Sequence, residues 1–347
     1  MRLLVAGGAG FIGSNFIHYM LAKHRDIEIV NYDKLTYAGN LENLADIAHD
    51  PRYHFIRGDI ADAARIDEVI ENFKIDTIVN WAAETHVDRS IHGDLAAFVH
   101  ANVLGPQVLA EATKRHKLNL FIQVSTDEVF GALALDEDRL FHEETAFAPN
   151  MPYAACKAGG DLICRSYVQT FKTPIIVTHC SNNYGPYQFP EKFIPQAIFK
   201  ALANESIPIY GDGLYVRDWI HAVDHAAAID LLLTRGASGE VYNIGVDNER
   251  SNLEIMRILL EMMGKPSSLL VHVEDRPGHD RRYAIDARKI TRLGWTPQYP
   301  RERFADGLKE KMEWYLQNRT WVEKLRARSA EINTHIKALS HKLYGEV

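Results

Sequence analysis

Six short apolar runs rich in β-branched residues, alternating with longer stretches of helical period, constrain this chain more than any other feature. They are Leu3 to Ala6, Glu28 to Tyr32, Tyr53 to Arg57, Thr77 to Ala82, Leu120 to Ser125 and Ile175 to His179. Continuous apolar runs suit strands covered on both faces, and helical crossovers suit parallel neighbours, so the pattern predicts an α/β fold with a doubly wound parallel (Rossmann) sheet. Candidate helices cover Ser14 to Lys23, Arg65 to Phe73, Leu95 to Arg115 and Tyr153 to Phe171. Pro106 lies inside the third of these, where a missing N–H and a clash with the preceding turn predict a kink. After Cys180 the alternation loosens, and Pro, Gly and aromatic residues crowd Asn183 to Pro190. The expected division is a Rossmann domain over residues 1–181, completed by about 218–245, and a smaller loop-rich lobe over 182–217 and 246–347. Such a lobe closes a cleft at the carboxyl ends of the strands, where open α/β sheets hold ligands.

The 347 residues include 39 Lys and Arg against 46 Asp and Glu, a formal charge of -7 that argues against a nucleic-acid partner. Cys156, Cys164 and Cys180 are odd in number and lack C-x-x-C spacing, which points away from a disulfide framework or zinc cage and toward a reducing cytoplasm. The opening Met1 to Ala6 meets glycine before a signal-peptide apolar region is complete, and no apolar run reaches the roughly 18 residues of a membrane span, so neither export nor a membrane anchor is expected.

Gly7-Gly8-Ala9-Gly10-Phe11-Ile12-Gly13 follows the first strand and opens a helix. In that setting backbone amides and the helix dipole can face a pyrophosphate with no Cβ in the way. Asp33 ends the second strand, 20 residues past Gly13, where its carboxylate suits both ribose hydroxyls and repels a 2′-phosphate. The combination predicts NAD rather than NADP, although the cation of Lys34 next door weakens that preference. Asp59 and Ile60, after the third strand, are candidates for the adenine edge.

Thr126, Asp127 and Glu128 follow the fifth strand, and Tyr153 and Lys157 stand one helical turn apart soon after. A phenol is a poor base at neutral pH, but an ammonium one turn away and a cationic nicotinamide both favour phenolate. Tyr153 can then accept a hydroxyl proton while hydride leaves to the cofactor. His221 and His225 have the i, i+4 spacing of metal ligands, yet no neighbouring glutamate or third ligand accompanies them, so no metal is expected. Trp219, Trp295 and Trp314 are read as packing residues.

With these motifs in place the chain resembles the extended short-chain dehydrogenase/reductases, and within them the dTDP-glucose 4,6-dehydratases, nearly from end to end. The resemblance rests on Gly7 to Asn15, Tyr32 to Asn40, Ala82 to Ser90, Ser125 to Gly131, Cys180 to Pro186, Val216 to Trp219 and Asp275 to Tyr283. It implies that Tyr153 and Lys157 oxidise C4 of the sugar with Thr126 on the reacting oxygen, that Glu128 removes the C5 proton, and that Asp127 protonates the departing C6 hydroxyl. It places Lys34, Leu35, Thr36, Ala82, Ala83 and Asn183 at the cofactor. Thr85, Asn182, Lys192, Phe193, Tyr210, Arg217, Asn252, Arg276 and His279 would line the nucleotide-sugar pocket. Arg217 and Arg276 suit a pyrophosphate because a guanidinium can bond two oxygens at once. A homodimer built from Leu95 to Arg115 and Tyr153 to Phe171 is implied as well.

The chain departs from the family at Ala154 and Cys156, where hydroxyl residues are usual, at Ala101 in place of a threonine, and at Val246 in place of a glycine. A UDP-sugar 4,6-dehydratase, a nucleotide-sugar 4-epimerase or decarboxylase, and a non-catalytic NAD-binding protein are the alternatives. The Asp127-Glu128 pair argues for dehydration, since epimerisation needs no elimination.

Overall fold

The protein is described by a computed structural model covering residues 1–275 and 279–328, apart from the side chains of Val87, Asp88 and His92. The six expected strands form β1 (Arg2–Ala6), β2 (Glu28–Asp33), β3 (Tyr53–Arg57), β4 (Thr77–Asn80), β5 (Leu120–Thr126) and β6 (Ile175–Cys180), and Val241–Ile244 adds β7. All seven are parallel, in the order β7-β6-β5-β4-β1-β2-β3. The order reverses between β1 and β4, and that switch point opens a crevice at the carboxyl ends of the strands.

Helix α1 (Phe11–Lys23) follows β1, and α2 (Ala63–Phe73) follows β3 with Asp62 as its cap, the carboxylate accepting from the Arg65 N–H at 3.1 Å. On one face of the sheet Phe16, Ile17 and Met20 of α1 meet Ala226, Ile229 and Leu232 of a helix over Ala222–Arg235. On the other, Ile66 and Val69 of α2 meet Val108, Leu109 and Ala112. Each of the larger side chains so removed from water contributes about 1.5–3 kcal/mol. Trp295 belongs to the first of these cores, while Trp219 is buried and Trp314 packs at the edge of a third. That third core joins Phe193–Leu202, Asn252–Met262 and Phe304–Gln317 through Ile198, Leu259 and Leu308.

The third helical run, α3, passes Pro106 by way of a widened turn. It consists of Leu95–Val99, a π turn over His100–Leu104, and Gly105–His116, and the backbone stays right-handed helical at each junction. Pro106 has no N–H to send back to the Asn102 carbonyl, and the wider turn, in which the Gly105 N–H bonds His100 O, accommodates the ring without breaking the helix. α4 (Pro152–Phe171) lies against this turn, and Gly160 makes the approach possible: a Cβ there would stand 2.2 Å from Asn102 O.

Candidate active site

The crevice begins with the glycines after β1. Gly7 has φ +75°, and a Cβ on it would meet Ala82 N at 2.4 Å; a Cβ on Gly13 would meet Gly7 O at 2.4 Å. The first residue therefore turns the chain and the second lets helix and strand close up. No side chain caps α1, so its amino end is open to an anion. A cavity continues from here, and of the expected cofactor residues Gly7, Gly10, Asp33, Lys34, Thr36, Asp59, Ile60, Ala82 and Ala83 line it. Phe11, Ile12, Gly13, Leu35, Tyr153, Lys157 and Asn183 are not among its lining residues. Tyr32, Glu84, His100 and Ala101 line it too. The sequence reading missed the first three, and only the alanine had drawn notice.

Asp33 is pinned in place: its two carboxylate oxygens accept from Ala9 N–H at 2.9 Å and Leu35 N–H at 2.7 Å. Burial pushes its carboxyl up, against the pull of those two amides. Lys34 bonds Asp59 Oδ2 at 2.7 Å and His100 Nε2 lies 3.0 Å from the same atom. Burial alone would raise the Asp59 carboxyl, but Lys34, the Ala61 N–H and His100 hold it down at about 2. The Lys34 cation that weakened the cofactor assignment is thus matched by a carboxylate.

β5 and the turn after it carry the groups expected to react. Thr126, Asp127, Tyr153 and Lys157 are all buried, with Glu128 half-buried beside them. The Thr126 side chain hydrogen-bonds Tyr153 and its hydroxyl donates to Asp127 Oδ1 at 3.3 Å. Asp127 Oδ2 has no partner among the described residues. Burial, then the neighbouring charges of Glu128 and Asp218, raises the Asp127 carboxyl well above its ordinary value, the direction that favours its protonated form. Burial, then the charges of Glu128 and Asp127, also raises the Tyr153 phenol. Lys157 donates to Val124 O at 2.7 Å, a backbone partner that its spacing from Tyr153 could not announce.

The other expected contacts lie on the second set of elements. Arg217 donates to Asp280 O at 2.9 Å with its guanidinium 4.1 Å from the Tyr283 ring centre. His279 stacks on Tyr215, centroids 3.6 Å apart, and bonds Asp275 at 2.9 Å, with Tyr210 edge-on at 6.4 Å. Tyr215 is an aromatic platform that only tertiary structure reveals. Asn182 Oδ1 is buried without a partner among the described residues, Lys192 and Phe193 open one helix, and Asn252 opens another. Thr85 is exposed. Arg276 lies outside the described residues. Arg281 pairs with Asp212, and Arg282 with Glu249, so these two arginines are held by carboxylates.

His221 caps the helix Ala222–Arg235, and His225 Nδ1 lies 3.1 Å from Asn183 Oδ1. Burial lowers both imidazoles to about 3. No cluster of three metal-ligating side chains occurs among the described residues, nor does any helix there have the length and apolarity to cross a membrane.

A family model described as GDP-mannose 4,6 dehydratase matches residues 4–310. A dTDP-glucose 4,6-dehydratase of Streptomyces niveus is 47% identical over 332 residues, 94% of this chain and 96% of that protein. The chain belongs to the dTDP-glucose 4,6-dehydratase family. Among solved structures, the Bacillus anthracis dTDP-glucose 4,6-dehydratase in complex with NAD is 46% identical with a TM-score of 0.87, covering 94% of this chain and 99% of that one. The Streptomyces venezuelae dTDP-glucose 4,6-dehydratase, also with NAD bound, is 45% identical with a TM-score of 0.88, covering 94% and 100%.

Proposed function

We propose that this member of the dehydratase family converts dTDP-glucose to dTDP-4-keto-6-deoxyglucose as an NAD-dependent hydro-lyase. The observation that carries the reading is the buried Asp127, its Oδ2 without a partner among the described residues, beside Glu128 in one turn with Thr126. The glycine cradle, the uncapped α1 and Asp33 fit NAD, which when bound would accept hydride from C4 and return it to C6 after the elimination.

Tyr153 takes the C4 hydroxyl proton, with Thr126 orienting the sugar oxygen and Lys157 adding positive charge. The resulting C4 ketone acidifies C5–H, so Glu128 removes that proton as Asp127 protonates the leaving C6 hydroxyl. One carboxyl must be ionised and the other protonated for this step, and burial separates them. Residues 1–181 with about 218–245 hold the cofactor, and 182–217 with 246–347 hold the nucleotide sugar. Arg217 faces the pyrophosphate, and the Tyr210, Tyr215 and His279 rings suit the base. Asn183 contacts the cofactor through a side chain steadied by His225.

The working unit is a cytoplasmic homodimer formed through α3 and α4, whose outer faces carry Leu95, Val99, Leu104 and Leu162, each more than a third exposed. Incubation of the purified protein with dTDP-glucose should yield the alkali-induced absorbance of a 4-keto sugar. Turnover of UDP-glucose in preference would reassign the base, and no signal with either would overturn the dehydratase reading.

A further inference from the structure

Three consecutive residues of β5 reach three successive turns of α4. Thr126 hydrogen-bonds Tyr153, Val124 O accepts from Lys157 Nζ at 2.7 Å, and Ser125 Oγ donates to Asp161 Oδ2 at 2.6 Å. The first two contacts belong to the reaction already described. The third does not, yet it is the shortest of those with stated lengths and the deepest: Asp161 is 3% exposed and Ser125 6%. From β6, where His179 stands in register with Ser125, His179 Nε2 comes within 3.3 Å of the same Asp161 oxygen and is itself 1% exposed. A carboxylate only accepts, so this nitrogen carries the proton. Asp161 Oδ1 has no partner among the described residues.

We propose that Asp161 is a positioning residue for the oxidising pair: held by Ser125 and His179, it registers α4 against β5 and places a buried negative charge one turn behind the Lys157 ammonium. The proposal rests on the roles given above to Tyr153 and Lys157. A buried amine sheds its proton readily, because desolvation disfavours the charged form. Burial does push Lys157 down, and the charge of Asp161 is the main opposing influence, followed by Cys164. Tyr153 is raised first by burial, then by Glu128 and Asp127, with Asp161 a smaller contributor in the same direction. On the α3 side, Asn102, Val103 and Pro106 approach α4 at its glycines and do not titrate, while His100 turns to Asp59. Arg89, from the segment Val87–His92, lies over Tyr37.

Removing the charge therefore lowers both neighbouring pKa values, Lys157 more than Tyr153. In Asp161→Asn the ammonium of Lys157, followed by NMR of carbon-13-labelled lysine with Lys157→Met as the assignment blank, should titrate on the order of one pH unit lower, the size of shift expected for a charge one turn away at an effective dielectric near that of protein interiors. The alkaline limb of nicotinamide reduction, followed in a single turnover with dTDP-glucose, should move the same way, with KM for the nucleotide sugar nearly unchanged. Asp161→Glu should restore both. A merely structural role would depress kcat at every pH and leave the limbs in place, and that result overturns the proposal. Should Asp161→Asn be insoluble, Asp161→Ala removes the same charge and should also shift Lys157 downward; no shift there also overturns the proposal. The NMR titration needs no substrate. A wild-type protein inactive on dTDP-glucose would sink the functional reading and still leave this one to be judged.

Discussion

Replacing Asp127 by asparagine keeps the volume and one acceptor but removes the proton that the elimination uses. The side chain is 1% exposed, and burial together with Glu128 holds the proton on it. General acid catalysis is worth about 10²–10⁴ in rate, which is roughly 3–5 kcal/mol of barrier. Asp127→Asn, and more severely its combination with Glu128→Gln, should therefore slow release of the 4-keto product by that factor. Reduction of the bound nicotinamide on mixing with dTDP-glucose should persist, because Thr126, Tyr153 and Lys157 are intact. Stopped-flow absorbance of the reduced cofactor, run beside the alkali assay for product, separates the two halves of the reaction. The variant should accumulate reduced cofactor, and Tyr153→Phe should not. In the wild type, product formation should decline as pH rises through the elevated Asp127 pKa, above the usual carboxylate range, since only the protonated acid serves. If Asp127→Asn slows reduction as much as product release, the division of labour between the phenol and the carboxyls is wrong.

Gly7→Ala would force a side chain into φ +75° and against the Ala82 backbone, a strain of about 1–2 kcal/mol before any clash; the variant should purify with little NAD and melt below the wild type. Lys311 is fully buried and donates to Gln188, and burial drives its amine well below the ordinary value. A lysine depressed on folding costs stability below its unfolded pKa, and the cost fades as pH rises toward about 10.4; Lys311→Met should gain in Tm over the wild type at neutral pH, with the gap narrowing near pH 10, and a constant gap would contradict the linkage. Leu162→Asp puts a charge on the outer face of α4 and should convert a dimer to monomers in size-exclusion chromatography with light scattering; an unchanged mass would remove this face from the interface.

The sheet was legible because strands buried on both sides must be written in apolar, β-branched letters, and six of its seven strands announce themselves that way. Val241–Ile244 escaped notice as a strand: it is four residues long and enters the sheet only through β6. The glycine cradle and Asp33 were legible because a phosphate site built from backbone must exclude side chains at fixed intervals. By contrast, the fate of Pro106 was settled by Gly160, 54 residues away, through a contact that no local rule contains. The same holds for the pairing of Lys34 with Asp59, the Tyr215 platform under His279, and the attachment of Lys157 to Val124 O. Local spacing proposes partners for a side chain, and the folded chain can supply a better one from a distant strand.

The widened turn in α3 also faces inward. Asn102, at its centre, accepts from the Glu84 N–H at 3.1 Å and donates to the Glu84 carbonyl at 2.9 Å, and Glu84 borders the cofactor cavity. One residue thus ties the loop at the cavity's rim to a helix whose opposite flank, at Leu104, meets the exterior. A side chain at Gly160 would press on the Asn102 carbonyl, so the spacing of two helices bears on the rim of the cavity.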